Sequence, residues 1–328
     1  MCFAIVGLSV LLKKSVLISS VFICSLQCEP DLRVGQLVTI SSIIQTMALL
    51  LAGFSALLYG IADFSGGLAA RKSKVLSVLI LSQCIGIAIT LVAIMTLYYT
   101  GVPPVRGLLW GLLAGVTGSF GLFMLYEGIA TSIVAIISPV SAIVGAFIPV
   151  LFAAVILGER PSIVSVIGSI VCLPAIILLT REGKLEKSEK GLVKSALTYG
   201  LLSGLGFGVF FISLSRCSSD AGLWPLLVAK LTSITVTGIA MLISRQSFKI
   251  ERNGLVSALV AGISDMGANV LYMLATQVGM LSVVVVVTSL FPVPTVVLAR
   301  MFLGQKIPPV RLIGIILALV GIGLISTH

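Results

Sequence analysis

Four ionisable residues lie within long apolar runs: Asp63, Glu127, Lys230 and Asp265. A charge at the centre of a membrane helix costs roughly 2.5–3.5 kcal/mol on insertion scales, so each needs a partner or a task. The tasks open to a carboxylate there are to hold a proton, to bind a cationic group, or to pair with Lys230. Uncharged Tyr59, Gln83, Asn269 and Tyr272 stand near these residues in sequence or in span. Helical spacing groups them further. Gly53, Ala56, Gly60, Asp63 and Gly67 run along one face, with Tyr59 four residues before Asp63, and Gly262, Asp265, Asn269 and Tyr272 form a comparable face. These eight polar residues are the candidates for a substrate or proton pathway. Histidine chemistry is excluded by position, because the single histidine is the last residue, His328. The six cysteines have no metal-like spacing. No metal site and no cofactor is therefore expected.

The elements that carry these residues are apolar helices. Of 328 residues, 58% are hydrophobic and 10% charged, whereas a soluble domain carries about 25% charged residues. A chain so poor in charge cannot coat a water-facing globule, and long apolar runs in a bilayer satisfy their backbone groups as helices. The net charge of +10 does not point to nucleic acid, since the basic residues are scattered between apolar runs. Ten spans are expected: 47–70, 75–98, 106–127, 131–157 and 161–180, then 197–215, 222–244, 254–276, 280–303 and 308–326. Residues 1–46 precede them as a signal-like segment, an extra helix, or sequence ahead of a start at Met47. The charged stretch 181–196, with REGKLEKSEK at its core, reads as a linker too polar for the bilayer.

The two sets of five spans repeat each other. Adding 146 places Tyr126 on Tyr272, Gly158 on Gly304, Arg160 on Lys306, Gly168 on Gly314 and Arg106 on Arg252, all without a gap. Residues 47–180 and 197–328 thus read as two copies of one unit. Five spans is an odd number, so the second copy must lie upside down relative to the first. The expected fold is all-α integral membrane, with ten transmembrane helices as two inverted five-helix repeats. Such repeats commonly enclose a midplane site with two alternative access states.

The repeat also serves as a control. Asp63 has Val209 at its equivalent position, Asp265 has Ser119, Glu127 has Met273 and Lys230 has Cys84. Charges demanded by the scaffold would recur in both copies, and these do not. Their structural alternative is an ion pair of a carboxylate with Lys230. Pro139 and Pro149 in the fourth span and Pro292 and Pro294 in the ninth predict broken helices in corresponding positions, a pointer to a binding site. Glycines four apart, at 107, 111 and 115 and at 200, 204 and 208, predict close helix contacts; so do Gly168, Cys172 and Ala175 with their partners Gly314, Ala318 and Gly321.

Fourteen Lys and Arg residues flank the loops at 71–74, 181–194, 245–252 and 300–311, against Arg106, Arg160 and Arg216 on the other side. By the positive-inside rule the first set is cytoplasmic, which places the C-terminus outside.

The block LLYGIADFSGGLAARKSK, the SPV–P run ending in LGERP, and LFPVP–LGQKIPP before a Gly-rich last helix together resemble the EamA-type members of the drug/metabolite transporter superfamily. The resemblance spans residues 47–326. Departures are Tyr59-Gly60 where the family has Trp-Gly, and Gln305 where it often has glutamate; relatives also often keep both termini in the cytoplasm. The resemblance implies secondary transport of a small metabolite or drug, often outward, without a cofactor. The residues themselves leave two rivals: a non-transporting membrane scaffold, and a membrane-embedded enzyme, which lacks intramembrane histidine and any loop large enough for a catalytic site. The expected partners are a small-molecule substrate and the lipid bilayer, with no nucleic acid and a homodimer left open. The expected location is the plasma (inner) membrane.

Overall fold

The computed structural model describes residues 34–97, 104–158, 187–217, 221–304 and 309–325, with isolated positions between 167 and 178. The described residues form helices and no strand. In chain order these are α1 (Val34–Ala70), α2 (Val75–Leu97), α3 (Val105–Thr131), α4 (Val134–Ile156) and α5 (Lys187–Ser215). There follow α6 (Trp224–Ile243), α7 (Arg252–Val278), α8 (Leu281–Thr288), α9 (Pro292–Leu303) and α10 (Pro309–Ile325).

Among the described residues, eight stretches are long and apolar enough to cross a membrane, α8 and α9 counting together as one. Ten were expected. The expected fifth span, 161–180, lies outside the described residues apart from isolated positions, and with it the stripe of Gly168, Cys172 and Ala175. The tenth is α10, whose 17 residues make a shorter apolar helix. Helix also extends into both flanking segments: α1 begins at Val34 and α5 at Lys187, inside the stretch read as a linker.

The outer surface of these helices is apolar. Met95, Leu242 and Ile243 are each more than three-quarters exposed, and Phe54 and Val92 are well exposed too. Water would oppose such a surface, whereas lipid accepts it. The polar residues are turned inward: Asp63, Gln83, Lys230, Asp265 and Asn269 are all buried.

Small residues set which helices touch. α1 lies along α7 and α5 along α3; α2 meets α6 and α7, α3 meets α6, and α4 meets α5, α8 and α9. A Cβ on Gly111 would stand 2.5 Å from the Pro225 carbonyl oxygen, and one on Gly115 2.5 Å from that of Ala229, so the start of α3 is pressed against α6. Gly200, Gly204 and Gly208 seat Val140, Val144 and Ile148 of α4 in the same way. Gly60 takes Pro294 of α9, and Gly67 takes Ile129 of α3. Gly53, expected on the same contact face, is exposed and has nothing near it.

The prolines do not break two helices. α4 runs unbroken through Pro139 and Pro149. Each proline removes only one N–H, and at ten residues apart the helix between them keeps its own bonds. In the ninth span the chain does part. Leu290 N–H donates to Val287 O (3.1 Å), Phe291 N–H to Thr288 O (3.2 Å) and Val293 N–H to Leu290 O (3.0 Å). This tight i→i−3 turn separates α8 from α9, with Pro292 in the first turn of the new helix, where its missing N–H costs nothing. Gly158 after α4 and Gly304 after α9, 146 residues apart, both adopt left-handed backbone, φ +70° and +61°. That is the conformation a helix-ending glycine supplies.

Candidate functional site

The polar cluster grows out of the contact between α1 and α7. Ser55 donates its hydroxyl to Ala268 O at 2.9 Å and draws the two backbones together. One turn further along α1, Tyr59 donates its hydroxyl to Asn269 Oδ1 at 2.9 Å. The amide of Asn269 in turn donates to Asp265 O, 2.6 Å away in its own helix. Asn269 is thereby held with its oxygen toward α1. Spacing of four residues puts Asp63 one turn beyond Tyr59 and Asp265 one turn before Asn269.

Lys230 reaches this cluster from α6 and donates to Asp265 Oδ2, forming a buried ion pair. Its stem is accommodated by a glycine: a Cβ on Gly86 of α2 would come within 3.1 Å of Lys230 Cε. Asp63 is 4% exposed, and its carboxylate has no hydrogen-bond or ion-pair partner among the described residues. The cluster thus holds one lysine and two carboxylates, and the lysine is bonded to only one of them. Gln83 Oε1 and Ser233 Oγ are also buried without a hydrogen-bond partner.

These groups border a narrow cleft of about 30 Å³. Six of the eight candidates line it: Tyr59, Asp63, Gln83, Lys230, Asp265 and Asn269. The other two do not. Tyr272 is fully buried behind the wall, donating its hydroxyl to Phe211 O at 3.0 Å with its ring 4.8 Å from that of Phe211. Glu127 sits near the end of α3 and lines a separate opening with Lys74, Tyr199 and Gln246. Of the four candidate prolines none lines the cleft; Phe291, at the α8–α9 break, does.

Sequence reasoning missed the aromatic wall. Phe207, Phe210 and Phe211 of α5 border the cleft with Phe291, and Tyr59 meets Phe211 edge-on at 5.8 Å. The signal was present as three phenylalanines within five residues, 207 to 211, but in an apolar run they carry no contrast. The chamber thus combines an apolar aromatic side, a neutralised ion pair, and one carboxylate free to take a proton or a positive group. Among the described residues no three His, Cys, Asp or Glu side chains gather as a metal site.

A crystal structure of a protein superposes on 88% of this chain and 97% of its own, with a TM-score of 0.55 and 16% sequence identity, a likeness of fold alone. No curated protein matches the chain. The model of the EamA-like transporter family matches residues 194–327, from α5 to the end of α10. The protein is an integral, multi-pass membrane protein whose residues 194–327 are similar to the EamA-like transporter family.

Proposed function

We propose that the protein is a secondary transporter, working outward across the plasma membrane, that carries a small metabolite or drug by alternating access coupled to protons at Asp63. The observation that carries this reading is the unpartnered Asp63 carboxylate beside the Lys230–Asp265 pair in a cleft within the bundle. An ionised carboxylate with no counter-charge in a low-dielectric interior is expensive, whereas the neutralised pair is not. Asp63 is therefore balanced by a proton in one state and by a positive group of the substrate in another. Exclusive occupancy of one carboxylate couples the two flows by competition. The aromatic wall suits the apolar body of such a solute, and Gln83 and Ser233 offer it unpaired polar atoms.

The scaffold for this mechanism is two inverted five-helix units, residues 47–180 and 197–328, joined by the charged stretch 181–196. Support comes from the contacts. The pairing of α1 with α7 corresponds, 146 residues on, to that of α5 with α3, and α4 with α5 corresponds to α8–α9 with α1. The basic loops place the α1–α2 and α6–α7 connections in the cytoplasm. A non-transporting scaffold would favour a partnered carboxylate at Asp63, which its unpaired state argues against.

The test is a metabolite panel in reconstituted vesicles, with and without an imposed pH gradient. Asp63→Asn is expected to abolish gradient-driven transport while the protein remains folded and inserted. If Asp63→Asn and Asp265→Asn both keep the wild-type rate and pH dependence, proton coupling at this site is wrong.

A further inference from the structure

The central cleft is not isolated. It shares Ser119 with a second chamber of about 320 Å³, walled by α2, α3 and α6 through Leu79, Phe123, Val236 and Thr237. That chamber in turn shares Leu76, Phe123 and Gln246 with a third, more open one of about 580 Å³, which holds Lys74 and Glu127. The three lie in series along one crevice. Resting on the transport reading, we propose that this crevice between α2, α3 and α6 is the route by which an amphipathic solute passes between Asp63 and water, with Ser119 as its neck and Lys74 and Glu127 at its mouth.

Three features of the crevice fit that role. The walls combine apolar side chains with a few hydroxyls, so a solute with both an apolar body and a polar group is accommodated throughout. Ser119 turns its hydroxyl back to Val116 O in its own helix at 2.9 Å, leaving a small, self-satisfied side chain where the two chambers meet. The mouth explains Glu127, an intramembrane carboxylate outside the central cleft. Sharing one opening with Lys74, it sets a mixed-charge entrance that neither repels nor traps a singly charged solute. The opposite end of the same helices is shut, because Gly111 and Gly115 of α3 press on the backbone of α6. The open end is the one carrying Lys74 and Gln246, the face that the basic residues assign to the cytoplasm.

Thiol accessibility tests the route without needing a known substrate. Thr237→Cys in the second chamber and Ser233→Cys beyond the neck are exposed to a membrane-impermeant maleimide in vesicles of each orientation. Thr90→Cys serves as the control, since Thr90 is buried against Met266 Sδ at 3.3 Å. Native cysteines are kept and alkylated peptides are read by mass spectrometry. Burial pushes the Cys217 thiol up to about 12, so its labelling reports unfolding. The expected result is labelling of Thr237→Cys and Ser233→Cys at least tenfold faster than Thr90→Cys, only from the Lys74 side. Adding Ser119→Phe is expected to slow Ser233→Cys tenfold and to leave Thr237→Cys unchanged. Equal rates at the three positions, labelling from the opposite face, or no effect of Ser119→Phe overturns the route. An empty transport panel with this labelling pattern intact would instead overturn the transport reading and leave the water-filled route standing.

Discussion

Phe120 of α3 and Val236 of α6 line an open crevice. Their counterparts 146 residues away, Met266 of α7 and Thr90 of α2, touch: the Thr90 hydroxyl lies 3.3 Å from Met266 Sδ. The α3–α6 seam is tight where it begins, at Gly111 against Pro225, and parts beyond Ser119. The α2–α7 seam is held by contacts from Ser73 to Thr90. Glu251 N–H and Lys249 N–H donate to Ser73 and Ser77, Gly262 packs on Ser82 O, and Met266 closes the far end. Residues of like position thus stand in two arrangements within one molecule. In the proposed mechanism the closed seam is a template for what the open seam becomes, and the reverse. Opening α2–α7 would release the Thr90–Met266 contact, while closing α3–α6 would bring Phe120 to Val236.

The two seams are tied at one point, which gives the largest expected effect. Asp265 belongs to the closed seam and is the counterpart of Ser119 at the neck of the open one, yet its partner Lys230 comes from α6. Removing one member of a buried pair strands the other charge, which costs about 3–5 kcal/mol. Asp265→Asn is expected to lower the unfolding free energy in detergent by that amount, and Lys230→Met combined with Asp265→Leu to recover most of it. Ser119→Ala, losing only a hydroxyl bonded within its own helix, is expected to cost less than about 1 kcal/mol. If Asp265→Asn and Ser119→Ala cost the same, the pair does not join the seams energetically.

A smaller effect separates the two ends of the open seam. A Cβ on Gly111 would meet Pro225 O at 2.5 Å and Pro225 Cα at 3.0 Å, both backbone atoms that cannot step aside. Gly111→Leu is expected to destabilise by about 1–3 kcal/mol through overpacking, read as a lower thermal midpoint in detergent. A midpoint equal to wild type would mean that the two helices separate here as readily as they do beyond Ser119.

The difference between the seams also marks where reading the sequence stopped. Chain-long hydropathy and sparse charge gave the helices, because in lipid an apolar run has one backbone solution. Helical spacing brought Tyr59 and Asp63 to one face and Asp265 and Asn269 to another, and the fold joins those faces through a Tyr59–Asn269 hydrogen bond. Charge in an apolar run is rare, so its position is informative. Depth and direction are not encoded that way. Glu127, the last residue of its expected span, stands near the end of α3, whereas Asp63 lines the cleft with Asp265. Tyr272 shares a face with Asn269 and yet reaches back to Phe211. The phenylalanine wall and Gly86 were invisible because they differ from neither their neighbours nor ordinary packing residues. Pro139 and Pro149 were overread, since isolated prolines bend a packed helix where two in succession at a turn part it. The openness of one seam against the other depends on which state the same contacts are in, and composition does not record a state.

The smallest expected effect concerns Gly238, in the second half of α6 and the open half of its seam. No atom lies within 4 Å of where its Cβ would be, in contrast to Gly111 and Gly115 at the closed end. A glycine in a helix interior costs roughly 0.5–1 kcal/mol relative to alanine through backbone entropy. Gly238→Ala is therefore expected to raise stability by about that much. Its effect on transport follows from the closed seam. The counterpart of Gly238 is Val92 in α2, whose side chain is 62% exposed although α2 and α7 are in contact. A side chain at this position thus points away from a shut seam as well as from an open one. The methyl group should leave the transport rate unchanged in vesicles while the unfolding midpoint rises. A variant that is more stable but slower would show that α6 turns this face toward a neighbour when its seam closes. The α2–α7 contact would then be the wrong template for the other state.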